Sequence, residues 1–206
     1  MTQILLATNN SDKLRELQAI LRDLPIELVG YDRFPGHPPT EEDAETLEGN
    51  AIKKAREARD RTGLPAIADD TGLEVFCLNG RPGVFSSRFA GPEATYAENV
   101  KKLLADLRGV PSRRRGARFR SVTAFVPLDG QPLVAEGICD GVILESPRGT
   151  GGFGYDPVFL PAGHRQTFAE MDPLVKNSIS HRGRSLARLK ELLVEHFAGH
   201  KPGRPS

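Results

Sequence analysis

The chain has 206 residues, of which 38% are hydrophobic and 27% charged. That length is about 1.4 times a domain of ~150 residues, and the composition is too apolar for a disordered chain. Lysine plus arginine number 28 against 27 aspartate plus glutamate; a net charge of +1 excludes a polyanion-coating protein but allows a locally basic pocket. No apolar stretch reaches the ~18 residues of a membrane-spanning helix. The first residues, Met1-Thr2-Gln3 before Ile4-Leu5-Leu6-Ala7, lack the basic and long apolar regions of a signal peptide. A cytoplasmic location with no membrane partner is therefore expected. Cys77 and Cys139 stand in no metal-ligand spacing and read as reduced thiols.

Residues 3–7 read as a buried strand, and Thr8-Asn9-Asn10-Ser11-Asp12 as a turn of helix N-cap types. Leu14, Leu17 and Leu21 recur at helical spacing, which predicts an amphipathic helix over 12–22 that ends near Pro25. A second strand is predicted at 26–29, a Pro-rich loop at 34–39, and an acidic loop through Glu41, Glu42, Asp43 and Glu45. A helix over 45–62 turns Ala51, Ile52, Ala55 and Ala58 inward. Residues 64–68 form a strand that runs into Asp69-Asp70-Thr71-Gly72, and 73–78 continue extended. A third helix spans 95–107. Residues 119–128 and 133–138 make a hairpin about Asp129-Gly130. A glycine-rich loop follows at 149–156, then a closing helix over 185–197. Alternating strands and helices predict an α/β fold, a mixed sheet with flanking helices. The expected organisation is a single domain over 1–197 and a frayed polar tail over 198–206.

Several clusters could carry chemistry. A strand entering a helix N-terminus presents unpaired N–H groups that favour phosphate. Lys13 opposes the helix dipole there, which suits a nearby anion; a solvated lysine on a capped helix is the plainer alternative. There is no GxxxxGK, so the turn is not a P-loop. Asp69 and Asp70 follow a buried strand, and successive side chains of an extended chain face opposite ways, so one faces a cleft and the other a packed layer. These carboxylates, with the acidic loop, suit a hard cation such as Mg²⁺, while a solvated loop equally accounts for residues 41–45. Asp70-Thr71-Gly72 is also the aspartic-protease triplet, but that chemistry needs two triplets and this helix-rich chain has one.

Residues 149–157 pack four glycines around Phe153 and Tyr155, which permits close backbone approach and stacking on a planar base; a tight inter-strand loop is the alternative. Lys176, His181 and Arg182 form a run of donors, or else a solvated N-cap region. Arg113, Arg114, Arg115, Arg118 and Arg120 lack interleaved aromatics beyond Phe119, which favours a solvated loop over a nucleic-acid surface.

Taken in order, residues 8–13, 46–55, 66–73, 149–157 and 180–183 resemble the inosine/xanthosine triphosphate pyrophosphatase family, across roughly 3–197. The resemblance implies an elongated fold of two lobes around a central cleft, and a homodimer. It also implies Mg²⁺-dependent hydrolysis of non-canonical purine nucleoside triphosphates (ITP, dITP, XTP) to the monophosphate and pyrophosphate. Asp70 then looks like the catalytic base and a metal ligand, with Glu42 as second ligand and Glu41 as its alternative. Thr8, Asn10 and Lys13 look like triphosphate contacts, with Asn9, Ser11, Asp12 and Thr71 beside them. Phe153, Gly154, Tyr155, Asp156, Lys176, His181 and Arg182 resemble the base and phosphate contacts. Gly49 departs from the acidic residue many members carry before Asn50, and Thr71 from the usual serine. Lys13, Lys53, Lys176 and Arg182 are the expected local cations. Two other readings stand beside this one: a nucleotide-binding module without catalysis, and a nucleic-acid-binding protein using the arginine run.

Overall fold

The computed structural model describes residues 2–34, 36 and 40–199. Strand β1 (Thr2–Leu6) is anchored by fully buried Ile4, Leu5 and Leu6. Asn10 caps α1 (Ser11–Leu21), its side-chain oxygen accepting from the Asp12 and Lys13 amides at 2.9 and 3.1 Å. After β2 (Ile26–Val29) comes α2 (Leu47–Thr62), capped by Thr46 and closed by left-handed Gly63. Its buried residues are Leu47, Asn50, Ala51, Ala55 and Ala58, and the three alanines bring the helix close to the sheet.

The remaining elements are β3 (Ala66–Val75), β4 (Pro82–Gly83), α3 (Tyr96–Asp106), β5 (Gly116–Val126), β6 (Leu133–Ile143), β7 (Phe159–Pro161), α4 (Pro173–Ile179) and α5 (His181–Gly199). One mixed sheet runs β2-β1-β3-β5-β6-β7, with β4 beside β3. β1 is parallel to β2 and β3, and the other pairs are antiparallel. β5 pairs with β3 over the whole of Ala66–Val75. On its other edge β3 meets β1 only at Ala66 and Ile67, and β4 only at Leu73 and Glu74. Residues 69–72 are thus paired on one side alone, at a gap in the sheet.

Apolar packing divides about this gap. Leu73, Val75, Phe119, Ile143 and Phe159 form one core with Val100 and Leu103 of α3. Ile4, Leu6, Ile67 and Phe125 form another with Leu186, Leu189 and Leu193 of α5. The long strands β3, β5 and β6 cross both cores. The two-lobed α/β expectation holds.

The structure differs from the sequence reading at several points, among them the short strands β4 and β7 and the extension of β6 from 138 to Ile143. Residues 76–78 make a 3-10 turn instead of extending β3. Helix α4 was not anticipated, and α5 starts at His181, four residues before 185. Gly183, inside the first turn of α5, serves a close approach: a Cβ there would lie 1.7 Å from the Asn177 carbonyl oxygen of α4. Gly137 on β6 does the same beneath α5, where a Cβ would meet the His181 carbonyl oxygen at 2.1 Å. Finally, Arg115 is buried and donates to the carbonyls of Leu107, Val110 and Leu144 at 2.8–3.0 Å, whereas Arg113 and Arg114 are exposed as expected. Helix α5 continues through Gly199, and residues 200–206 of the expected tail lie outside the described residues. Among the described residues no helix is long and apolar enough to cross a membrane.

Candidate active site

The gap beside residues 69–72 opens into a cavity of about 110 Å³. Of the residues singled out from sequence, Asn10, Lys13, Glu42, Asp70, Thr71, Phe153, Gly154, Tyr155, Asp156, Lys176, His181 and Arg182 line it. Thr8, Asn9, Ser11 and Asp12 do not. Thr8 Oγ1 shapes the turn by accepting from the Asn10 amide at 3.1 Å, Asn9 and Ser11 are exposed, and Asp12 pairs with Arg15. Glu41 is exposed and Glu42 half-buried at the cavity edge.

Asp69 and Asp70 point to opposite faces of β3, as their spacing requires. Asp70 faces α2 and accepts from Asn50 Nδ2 at 3.1 Å and Lys54 Nζ at 3.0 Å. Lys54 Nζ also lies 2.8 Å from Glu42, so two carboxylates converge on one cation. Asn50 Oδ1 accepts from the Ala44 amide at 3.0 Å, tying the acidic loop to the same point. Burial pushes the Asp70 carboxyl above the usual range, against the pull of Lys54 and Lys13. At Glu42 burial also raises the carboxyl, but Lys54, Lys13 and Arg88 together outweigh it and the net direction is down.

Asp69 faces the other way, toward α1 and α5, with Lys13 Nζ at 3.2 Å and Arg182 Nε at 3.1 Å. Its burial is overruled by these two cations, which hold it well below the usual carboxylate range. Arg182 Nη1 donates to Glu16 at 2.6 Å and Nη2 to Thr71 Oγ1 at 3.0 Å. Lys176 Nζ reaches Glu16 at 2.8 Å and Asp156 at 2.7 Å. A guanidinium carries five N–H groups and an ammonium three, so both cations keep donors for a ligand. Asp156 also accepts from the Phe153 amide at 2.8 Å, which fixes the glycine-rich loop.

The Phe153 ring lies 4.8 Å from Lys176 Nζ and 5.4 Å from the Arg182 guanidinium carbon, and 5.9 Å from the Tyr96 ring. Tyr96 Oη in turn accepts from Asn10 Nδ2 at 2.8 Å. Beyond these two rings a groove of about 1060 Å³ runs between α3 and residues 149–154. His181 stacks on Phe119 with ring centroids 4.4 Å apart, and its Nδ1 is buried with no hydrogen-bond partner. Burial, reinforced by Arg182 and Lys176, pushes its pKa well below 6.5 and keeps the ring neutral.

Two functional-looking residues escaped the sequence reading. Lys54, not Lys53, is the cation at the carboxylates; Lys53 turns outward to Asp43 at 2.6 Å. The signal was present, because Asn50, Lys54 and Ala58 recur at helical spacing on the inward face. Glu16, which joins Lys176 to Arg182, likewise shares the α1 face of Lys13 and Leu17.

The fold and the cleft define a class: a two-lobed α/β protein whose sheet gap holds paired acids and cations beside an aromatic wall, suited to a polyanionic ligand with a planar ring. The chain belongs to the Ham1 family, whose model matches residues 4–192. The resemblance read from five motifs is borne out. A dITP/XTP pyrophosphatase of Geobacter sulfurreducens is 49% identical over 193 residues, 94% of this chain and 97% of that protein. A HAM1 protein from Coxiella burnetii superposes with a TM-score of 0.86 at 47% identity, over 95% of this chain and 100% of that one. The Staphylococcus aureus Ham1 protein gives 0.84 at 34% identity, with the same coverage.

Proposed function

We propose that this chain hydrolyses non-canonical purine nucleoside triphosphates (dITP, ITP and XTP) to the monophosphate and pyrophosphate. The observation that carries the reading is the convergence of Glu42 and Asp70 on one cation position beside Lys13. The dITP/XTP pyrophosphatase named above, which aligns over nearly the whole chain, supports it. A cytoplasmic location belongs to the same reading.

The charges argue for a divalent metal. Lys13, Lys54, Arg88, Lys176 and Arg182 each pair with one or more of Glu16, Glu42, Asp69, Asp70 and Asp156, five cations against five carboxylates. A triphosphate with close to four negative charges meets no net positive field there. Glu42 and Asp70 fit Mg²⁺: they offer only oxygen, already share one cation, and leave coordination positions for phosphate and water. Bound there, Mg²⁺ supplies neutralisation of phosphate charge and polarisation of the reacting phosphorus.

Asp70 is the base. Its buried carboxyl is fixed by Asn50 and Lys54, which aims it at the cavity where the attacking water would sit. It takes the proton of a water whose oxygen bonds to the α-phosphorus as the bond to the bridging oxygen breaks and pyrophosphate leaves. Lys13 and Lys176 hold phosphate oxygens, so that positioning and charge stabilisation lower the barrier.

Base choice follows from donor patterns. Hypoxanthine and xanthine present a 6-oxo acceptor and an N1–H donor, which adenine reverses. The remaining Arg182 N–H groups and neutral His181 match the first pattern, and each group left unmatched against adenine costs about 1–3 kcal/mol, or roughly 10- to 100-fold. The enclosed volume is below the ~300–1,000 Å³ of ligand sites, so a nucleotide displaces Phe153 and Tyr96 or projects past them into the groove. Of the arginine run, Arg115 is buried, Arg118 pairs with Asp140 and Arg120 pairs with Glu74 and Glu136, which leaves Arg113 and Arg114 exposed and a smaller basic surface than five arginines would make.

Asp70→Asn tests the assignment. It retains the shape of the site, and the expected result is a folded protein with nearly all dITP turnover gone. An active Asp70→Asn protein would contradict it.

A further inference from the structure

Asp69 does not line the cavity, yet it is among the most deeply buried charges in the molecule, with 1% of its side chain exposed. Three donors converge on a single oxygen of its carboxylate: Lys13 Nζ at 3.2 Å, Arg182 Nε at 3.1 Å and Thr71 Oγ1 at 3.2 Å. The other oxygen, Oδ1, is buried with no hydrogen-bond partner. Burying a charge with one oxygen unpaired is unfavourable, and what Asp69 offsets is the charge of Lys13 and Arg182, which its removal would leave short of a counter-charge. Packing therefore does not account for it.

What the shared oxygen does is join two elements from opposite ends of the chain. Lys13 lies in the first turn of α1, beside the candidate phosphate turn. Arg182 lies in the first turn of α5, against the Phe153 ring and the neutral His181. Among the described residues Asp69 is the one side chain paired with both cations, and Glu16 restrains Arg182 from its far side.

We propose that Asp69 is a positioning residue: its shared oxygen fixes the spacing of Lys13 and Arg182, so that one ligand is held at its phosphate end and read at its base end together. This rests on the reading above, that the ligand is a purine nucleoside triphosphate. Asp69 touches no reacting atom; it acts through the two cations.

Two variants test it. Asp69→Asn keeps the shape and removes the charge, whereas Asp69→Glu keeps the charge and moves the carboxylate by one methylene. For each, dITP and dATP turnover, equilibrium binding of dITP in chelator, and the thermal midpoint are measured per folded molecule. The expected result is a rise of roughly tenfold or more in KM and Kd for dITP in both variants, a smaller fall in kcat, and a dITP-over-dATP preference reduced about tenfold. A folded Asp69→Glu protein with wild-type KM, Kd and preference overturns the proposal, since charge alone would then suffice. A lowered midpoint with KM, Kd and preference unchanged also overturns it, because that is the signature of a structural role. If Asp69→Asn does not fold, Asp69→Glu decides. A wild-type protein that binds dITP but releases no pyrophosphate ends the proposed function, while the Kd comparison still judges Asp69.

Discussion

At the residue scale, the cleft works by pairing every cation with a carboxylate while keeping donors in reserve. His181 is the exception, since it is buried without charge and with an open Nδ1. Its protonation in the folded state is opposed by burial, Arg182, Lys176 and Lys13, and favoured by Asp69. In the unfolded chain it titrates near 6.5, so below that pH the unfolded state binds a proton that the folded state refuses. Stability is therefore present above pH 6.5 and lost as pH falls. The His181→Gln protein lacks this component, and the wild-type deficit should grow by about 1.4 kcal/mol per pH unit below 6.5. Thermal midpoints from pH 8 to 5.5 check this; parallel curves for the two proteins would contradict it.

At the element scale, the helices that carry the site depend on two close approaches. Gly183 lets α4 and α5 meet at right contact distance, and Gly137 lets the first turn of α5 sit on β6. Gly183→Ala would normally favour a helix by about 1 kcal/mol. Here its Cβ meets the Asn177 carbonyl, so a net loss of about 1–3 kcal/mol is expected. KM for dITP should also rise, because His181 and Arg182 immediately precede that residue. A more stable Gly183→Ala protein would refute the junction as described. The same junction explains what was legible in the sequence. β1, the N-cap turn and α1 were readable because periodicity and capping are local, and the Asp129-Gly130 hairpin for the same reason. The start of α5 was not, because Gly183 has its explanation in α4, a helix far too short to announce itself by period. Nor was Arg115 readable as buried, since its carbonyl partners include Leu144 across the fold. Lys54 and Glu16 lay within reach of helical spacing, but their partners come from other elements, and only those partners tell a buried charge from a solvated one.

At the scale of the whole molecule, long strands β3, β5 and β6 run through two cores and leave residues 69–72 unpaired on one edge between them. The cleft is thus a product of sheet topology, with Lys13 of α1, Lys176 of α4 and His181 and Arg182 of α5 in its lining alongside Tyr96 and Asn99 of α3. As part of the same functional reading we propose a homodimer, for which sedimentation equilibrium should return twice the chain mass; a monomer at micromolar concentration would contradict it. The central claim concerns which bond is broken and for which base. Incubation with ITP, and separately with ATP, with and without Mg²⁺, followed by identification of the products, tests it most directly. The account predicts IMP and pyrophosphate, dependent on Mg²⁺ and at least roughly tenfold faster than release from ATP. IDP with phosphate, or equal turnover of ATP and ITP, would contradict it.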